Sequence, residues 1–165
     1  MDLTKYAARQ YTVNSDPYWM SIALRLAERA ADKKEVPVGA VIVKNNQVIS
    51  WAYNLREKWQ SPLGHAELIA IQRASKALGA WRLLDCTLYV TLEPCLMCAG
   101  AILQSRIPFV KYAAKDPKAG SVHSLYSVLT DERLNHRCEI SGDILAEESS
   151  LLLKNFFKKR RAEKV

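Results

Sequence analysis

The first regular pattern along the chain is helical and starts at Asp16-Pro17. Apolar side chains then recur at the three- and four-residue spacing that places them on one face of a helix. Proline is favoured in the first turn of a helix, where its missing N–H would have no partner in any case. The pattern therefore predicts a helix from Asp16 whose apolar face carries Met20, Ala23, Leu24, Ala27 and Ala31.

Runs rich in β-branched residues predict the strands. EVPVGAVIVKNNQVISWAYN, residues 35–54, contains two such runs around Asn45-Asn46, and an asparagine pair favours a tight hairpin turn. RLLDCTLYVTLE, residues 82–93, is apolar on both faces at its centre, which indicates a strand buried in a sheet. Two further strands are predicted in IPFVKYAA, residues 107–114, and HRCEIS, residues 136–141.

Helical patterns separate these strands. One helix is predicted from about Gly64 to Leu78 with Gly79 as its stop, and another from Pro94-Cys95 to Gln104. A short helix around 125–129 is possible within a loop-like region, and an amphipathic helix is predicted over about 143–162, with Leu145, Leu152 and Phe156 on its apolar face. Helices that alternate with strands predict an α/β fold of three α-β-α layers around a mostly five-stranded mixed sheet.

Composition narrows the class of protein. The 165 residues suit a single domain, 1–165, with its own core. No apolar run is long enough to cross a bilayer, and the first residues lack a secretory signal pattern, so a cytoplasmic protein without membrane contact is expected. Four cysteines in such a chain do not indicate a disulfide framework. The net charge of +7 favours a polyanionic partner.

The segment TLEPCLMCAG, residues 91–100, holds two cysteines two residues apart at a predicted helix start. Cys95 and Cys98 could form a redox pair, hold a structural metal or hold a catalytic metal, and the pair alone leaves all three open. His65 lies thirty residues earlier in GHAELIA, also at a predicted helix start. One imidazole and two thiolates are ligands that Zn²⁺ prefers.

A fourth ligand would indicate a structural site, whereas an open position would indicate a catalytic one. The remaining cysteines and histidines have no spacing that pairs them with the other three ligands: Cys86, His123, His136 and Cys138. The fourth position is therefore expected to hold water. Glu67 lies two residues after His65, where its carboxylate could move protons between that water and a substrate nitrogen.

His-x-Glu followed by Pro-Cys-x-x-Cys resembles the signature of zinc-dependent nucleobase and nucleoside deaminases. Beyond the signature, the chain is similar to the bacterial tRNA-specific adenosine deaminase family over about residues 16–162. The similarity lies in EVPVGAVIV, GHAELIAIQRA, LYVTLEPCLMCAGAI and DILAEESSLLLKNFFKKRR. The resemblance implies a cytidine-deaminase-like fold, a homodimer, and one zinc per subunit held by His65, Cys95 and Cys98.

The same resemblance implies a reaction and a substrate. Water activated by the zinc would attack C6 of the wobble adenosine in the ACG anticodon of an arginine tRNA, with Glu67 as the proton shuttle, leaving inosine. Asn54 matches a family asparagine that contacts the target nucleoside. Asp116, in AAKDPKAGS, matches an aspartate expected to contact its sugar-phosphate.

The basic C-terminal helix suits a tRNA anticodon stem-loop as the partner. Arg160 and Arg161 could contact phosphates and Phe157 could stack on a base, whereas Phe156 is expected in the core. Other cationic side chains of the same segment are Lys154, Lys158, Lys159 and Lys164. Two alternatives stay open: a deaminase of a free nucleoside, guanine or a pteridine precursor, and a zinc-stabilised RNA-binding module without catalysis.

Overall fold

The computed structural model describes residues 10–163, so Lys164 and the first nine residues lie outside the described part. Within these described residues, five α-helices and five strands follow one another. They are α1 (Asp16–Asp32), β1 (Gly39–Lys44), β2 (Gln47–Tyr53), α2 (Arg56–Trp59), α3 (Ala66–Leu78), β3 (Thr87–Leu92), α4 (Leu96–Gln104), β4 (Phe109–Ala114), β5 (Glu139–Ser141) and α5 (Ala146–Ala162).

The strands form one mixed sheet in the order β2-β1-β3-β4-β5. β1 runs antiparallel to both β2 and β3, while β3, β4 and β5 are parallel. Asn45 and Asn46 turn the β1–β2 hairpin with φ of 50° and 57°, the left-handed values that a tight hairpin needs. This confirms the predicted hairpin.

Alternation along the strands divides the core between the two faces of the sheet. On one face, Ile42, Leu88 and Val110 belong to an apolar cluster that includes the buried sides of α3 and α4. On the other face, Val41 and Tyr89 pack in a second cluster with the apolar side of α1, and Leu145, just before α5, packs against this cluster. The predicted three-layer arrangement is therefore confirmed.

Several predicted boundaries were wrong. The C-terminal helix begins at Ala146 rather than 143, because Asp143 and Leu145 have left-handed φ of 62° and 55°, which a right-handed helix excludes. β3 begins at Thr87 rather than 82. The short helix around 125–129 is a 3₁₀ turn at Val128–Thr130. Phe156 is only half-buried and does not belong to either core cluster.

The short helix α2 was not predicted, since its exposed four residues have no apolar periodicity. The buried carboxylate of Glu35 holds it in place by accepting the backbone N–H groups of Glu57 and Lys58 at 2.9 and 2.7 Å. None of the helices in residues 10–163 is long and apolar enough to span a membrane.

Gly39 marks the closest approach of β1 to α1. A Cβ added there would lie 2.1 Å from the Ala23 carbonyl oxygen and 2.7 Å from the Ala27 nitrogen. We expect Gly39→Ala to lower the free energy of unfolding by about 1–3 kcal/mol, because backbone atoms of a buried helix must shift. Urea denaturation followed by circular dichroism measures this change.

Gly100→Ala is the matched control for Gly39→Ala. Gly100 lies within α4, and an added Cβ there meets no atom within 4 Å. Alanine has the higher helix propensity, so this variant should be neutral or more stable by up to about 1 kcal/mol. Equal destabilisation by both substitutions would contradict the steric explanation.

Candidate active site

The direction of the strands brings the candidate residues to one edge of the sheet. β2 is parallel to β3 because both are antiparallel to β1, and β4 is parallel to β3. The carboxyl ends of all three strands therefore lie at the same end of the sheet. Asn54 follows β2 directly, Cys95 follows β3, and Asp116 follows β4.

The helices α3 and α4 begin at this edge and present the three predicted metal ligands. His65 and Cys95 are the N-cap residues of α3 and α4, and neither side chain caps its helix. His65 Nδ1 lies 3.7 Å from Cys95 Sγ and 3.5 Å from Cys98 Sγ. The three atoms lie within 4.8 Å of one another and form the one group of metal-ligating side chains found among residues 10–163.

These distances fit a tetrahedral zinc ion. With Zn–N of about 2.05 Å and Zn–S of about 2.3 Å, a tetrahedral angle separates nitrogen from sulfur by roughly 3.6 Å. The separations of 3.7 and 3.5 Å lie on either side of that value. The positive N-terminal ends of two helices also stabilise thiolates at this position. The residues present therefore fit Zn²⁺ with one coordination position left over.

The electrostatics of the cluster favour an anionic sulfur at Cys95, whereas the hydrogen bond with Cys95 raises the pKa of the Cys98 thiol. A hydrogen bond from Cys98 and another from His65 lower the pKa of Cys95 to about 4, although partial burial opposes this. The hydrogen bond to Cys95 raises the pKa of His65. Thiolate and neutral imidazole are the forms that bind metal. The lowered pKa of Cys95 favours its thiolate form.

Glu67 lies in the first turn of α3, buried and close to the cluster but not part of it. Burial raises the pKa of its carboxyl, while its own backbone amide and His65 act in the opposite direction. Its Oε2 atom is fully buried without a hydrogen-bond partner. An unpaired buried carboxylate oxygen is costly, which is consistent with a role toward a bound group rather than toward the fold.

The candidate fourth ligands all lie elsewhere. Cys86 and Cys138 are buried in the core, and Cys138 Sγ donates to the Ile107 carbonyl at 3.2 Å. His136 Nε2 bonds the same carbonyl at 2.7 Å, and His123 Nδ1 bonds the Tyr112 hydroxyl at 2.7 Å. Within the described residues, no fourth histidine, cysteine or carboxylate joins the group.

Asn54 adjoins the cluster through the start of α3. Its side chain is buried, and its Oδ1 accepts the Ala66 N–H at 2.9 Å, next to His65. Since an N–H can be paired only with an acceptor, this contact assigns the oxygen and leaves Nδ2 as the other end of the amide. No hydrogen bond joins that Nδ2 to another of residues 10–163. Asn54 thus holds the start of α3 next to His65, and its Nδ2 remains available as a hydrogen-bond donor.

Asp116 is the second residue of a loop, residues 115–124, which runs beside the cluster of candidate metal ligands. Asp116 Oδ1 accepts the N–H groups of Lys118 and Ala119 at 3.0 and 3.2 Å. The loop meets the cluster where Cys95 and Gly120 form an isolated β-bridge. Asp116 is therefore held near the ligand Cys95 but contacts no metal-ligand side chain.

Sequence reasoning missed Glu93, which is 1% exposed and lies two residues before Cys95. Burial alone would raise the pKa of its carboxyl, but hydrogen bonds from Ser124, His123 and Asp116 lower it to about 2. A glutamate directly after an apolar strand and before the Pro-Cys pair was the available signal.

A groove of about 670 Å³ separates the loop from the C-terminal helix. Phe157 and Arg161 line it from α5 opposite Asp116, and Phe157 is 44% exposed. Arg160 points elsewhere: its guanidinium lies 3.4 Å from the Lys34 carbonyl oxygen and 5.9 Å from the centre of the Phe156 ring. The other groove residues are Val36, Leu92, Lys115, Pro117, Lys118, Leu153 and Lys154.

Comparison with known proteins identifies the family. A family model described as MafB19-like deaminase matches residues 14–161. A Streptococcus pyogenes protein named tRNA-specific adenosine deaminase is 46% identical to this chain, over 93% of this chain and 90% of that protein. A Bacillus subtilis protein of the same name is also 46% identical, over 92% of this chain and 94% of that protein.

A solved structure gives the same result at the level of the fold. It concerns tRNA deaminases that edit adenosine to inosine at the wobble position of transfer RNA, and it is 38% identical with a TM-score of 0.79. The match covers 82% of this chain and 98% of that one. The expected cytidine-deaminase-like α/β fold is thereby confirmed, and the chain belongs to the tRNA-specific adenosine deaminase family.

Proposed function

We propose that this protein converts adenosine to inosine by hydrolysis at the wobble position of a tRNA, the arginine tRNA with an ACG anticodon being the expected substrate. The observation that carries the proposal is the site itself. His65, Cys95 and Cys98 form a three-ligand cluster with zinc geometry, and beside it the buried Oε2 of Glu67 lacks a partner. Membership of the family supplies the substrate class.

We assign Zn²⁺ to the cluster, one ion per subunit, held by His65, Cys95 and Cys98. When bound there, zinc supplies a Lewis acid that activates water at neutral pH. Glu67 takes a proton from the attacking water and delivers it to N1 of the adenine ring. It then takes the remaining proton from the new hydroxyl at C6 and delivers it to the departing amine, so that the C6 carbonyl forms. Water and adenosine thus yield inosine and ammonia.

Burial raises the pKa of the Glu67 carboxyl, which favours a role in accepting and returning protons. Burial also excludes bulk water from the reacting atoms. Asn54 offers its Nδ2 donor to the target nucleoside, while its oxygen keeps the start of α3 fixed. A base of an anticodon loop can leave its stack and reach these residues at low cost, because it is already partly unstacked.

The groove between residues 115–124 and α5 provides the RNA contacts. We place the sugar-phosphate of the target near Asp116 and the flanking nucleotides along Phe157 and Arg161, which offer a stacking surface and a cation. Arg160 remains a candidate phosphate contact, although its present contacts hold α5 against the end of α1. This basic and aromatic groove favours an RNA substrate over a free nucleobase.

We further propose a cytoplasmic homodimer. Leu63 and Leu96 are 58% and 57% exposed although each lies within two residues of a metal ligand, and Leu125 and Tyr126 are similarly exposed after the loop. Apolar surface of this kind is typical of protein contacts. The four cysteines, all within the described residues, form no disulfide with one another, which fits the reducing conditions of a cytoplasm.

The central test is incubation of the purified protein with an anticodon stem-loop of ACG sequence and detection of inosine by mass spectrometry. We expect Glu67→Ala and Glu67→Gln to reduce this activity by at least about 100-fold, because the proton shuttle is lost. Zinc should stay near one ion per chain by elemental analysis, since Glu67 is not a ligand.

Glu139→Gln is the matched control, because Glu139 is an exposed glutamate on the edge strand β5. It should retain full activity. Removal of zinc with a chelator should abolish activity and added Zn²⁺ should restore it. Full deamination by either Glu67 variant would contradict the proton-shuttle role, whereas a wild-type protein that binds zinc but forms no inosine would support a zinc-stabilised binding module.

Arg161→Ala should raise KM for the stem-loop, and it should reduce the slope of log affinity against log salt by about one, because one phosphate contact is lost. Arg82→Ala is the matched control, because Arg82 carries the same charge at the opposite edge of the sheet, before β3, and stacks on Trp81. Equal effects of the two variants would contradict a specific groove contact. Deletion of residues 158–165 should weaken activity further, and a truncated enzyme that deaminates the stem-loop as well as the full chain does would contradict an RNA-binding role for this segment.

Analytical ultracentrifugation should give twice the mass of one chain. The double variant Leu125→Glu and Tyr126→Glu should shift the protein toward monomer, because two charges would be buried in the contact. Leu84→Glu, which alters an equally exposed leucine at the opposite edge of the sheet, should leave the dimer intact. A monomeric wild-type protein at micromolar concentration would refute the dimer.

A further inference from the structure

Glu93 makes more polar contacts than the other buried carboxylates of residues 10–163 and is not used by the mechanism. Its Oε1 accepts three consecutive backbone N–H groups, those of Val122, His123 and Ser124, at 3.1, 2.7 and 2.9 Å. Its Oε2 accepts the Asp116 N–H at 3.0 Å and the Ser124 hydroxyl. One carboxylate therefore holds both ends of the loop that carries Asp116.

The backbone around Glu93 joins the same loop to the metal ligands. Glu93 N–H donates to the Ala114 carbonyl at 2.8 Å, and Ser121 N–H donates to the Pro94 carbonyl at 2.9 Å. The next residue, Cys95, pairs with Gly120. Two chain segments that are separate in sequence are thus fastened side by side, one bearing a metal ligand and the other bearing Asp116.

The packing leaves little freedom at this junction. A Cβ on Gly120 would lie 2.4 Å from Glu93 Cδ and 2.6 Å from the Asp116 carbonyl oxygen. The five donors that converge on Glu93 need two acceptor oxygens, which a carboxylate provides and an amide does not. Glutamine would turn an NH₂ group toward at least one N–H or O–H donor.

We propose that Glu93 is a positioning residue that fixes the loop 115–124 against the metal-ligand segment, and thereby sets where Asp116 meets the substrate. This inference rests on the proposed function, because Asp116 is taken to contact the target nucleotide. Glu93 touches neither substrate nor metal. Its effect on activity passes through Asp116, so the two residues should be energetically coupled.

A double-mutant cycle measures that coupling. Glu93→Gln should reduce kcat/KM for the stem-loop by about 100-fold, as expected for a displaced substrate contact, with zinc content unchanged. In the Asp116→Ala background, the same change should cost no more than about twofold, because the contact it positions is already absent. The proposal would be overturned if Glu93→Gln caused the same fold loss in kcat/KM with and without Asp116, or if the Glu93→Gln enzyme had wild-type kinetics.

Glu35→Gln is the control for a purely structural effect. Glu35 is equally buried and accepts two backbone N–H groups, but they belong to α2 and not to the loop. Its loss in kcat/KM should be the same with and without Asp116. If Glu93→Gln does not fold, Ser124→Ala can replace it in the double-mutant cycle with Asp116→Ala, because it removes only the hydroxyl donor to Glu93 Oε2.

Amide hydrogen exchange provides a readout that needs no activity. Glu93→Gln should accelerate exchange at Asp116 and at residues 122–124, while the amides of α3 keep their protection. Unchanged protection in the loop would overturn the proposal. A wild-type protein that forms no inosine would refute the proposed function instead, and the exchange experiment would still decide whether Glu93 holds the loop.

Discussion

The common direction of β2, β3 and β4 is the constraint on which the site depends. Their carboxyl ends share one edge of the sheet, so the segments that follow them must meet there. Two of these segments lead into helices whose N-cap residues are His65 and Cys95. The candidate ligands meet because β2 and β3 run in the same direction, each antiparallel to β1. If β2 ran the other way, Asn54 would lie at the opposite end of the strands.

Two buried glutamates in this region show how the surroundings decide the role of a carboxylate. Glu93 is fully hydrogen-bonded, and those bonds keep the pKa of its carboxyl near 2 despite burial. Glu67 has a buried oxygen without a partner, and burial raises the pKa of its carboxyl. A permanently charged group holds structure, whereas a group that can gain a proton suits acid–base chemistry.

The sequence was sufficient to select His65, Cys95 and Cys98 as one group of candidate metal ligands, which the structure brings together, because their residue types and their positions at helix starts restrict the chemistry. It was also sufficient for the strand order of the hairpin, since Asn45-Asn46 permits a tight turn. It was insufficient for Glu93, whose five donors come from residues 23 to 31 positions away and have no local pattern. The start of α5 was misplaced for a related reason, because the left-handed backbone at Asp143 and Leu145 is not encoded by glycine.

The side-chain amide of Asn54 has a fixed orientation, because its oxygen accepts a hydrogen bond from the first N–H of α3. Whatever atom of a substrate faces the other end must carry a lone pair, since a second donor would be repelled. Aspartate at position 54 could still hold the helix but would present an acceptor in place of the donor. A backbone N–H of α3 therefore decides which hydrogen-bonding group Asn54 presents on its other side.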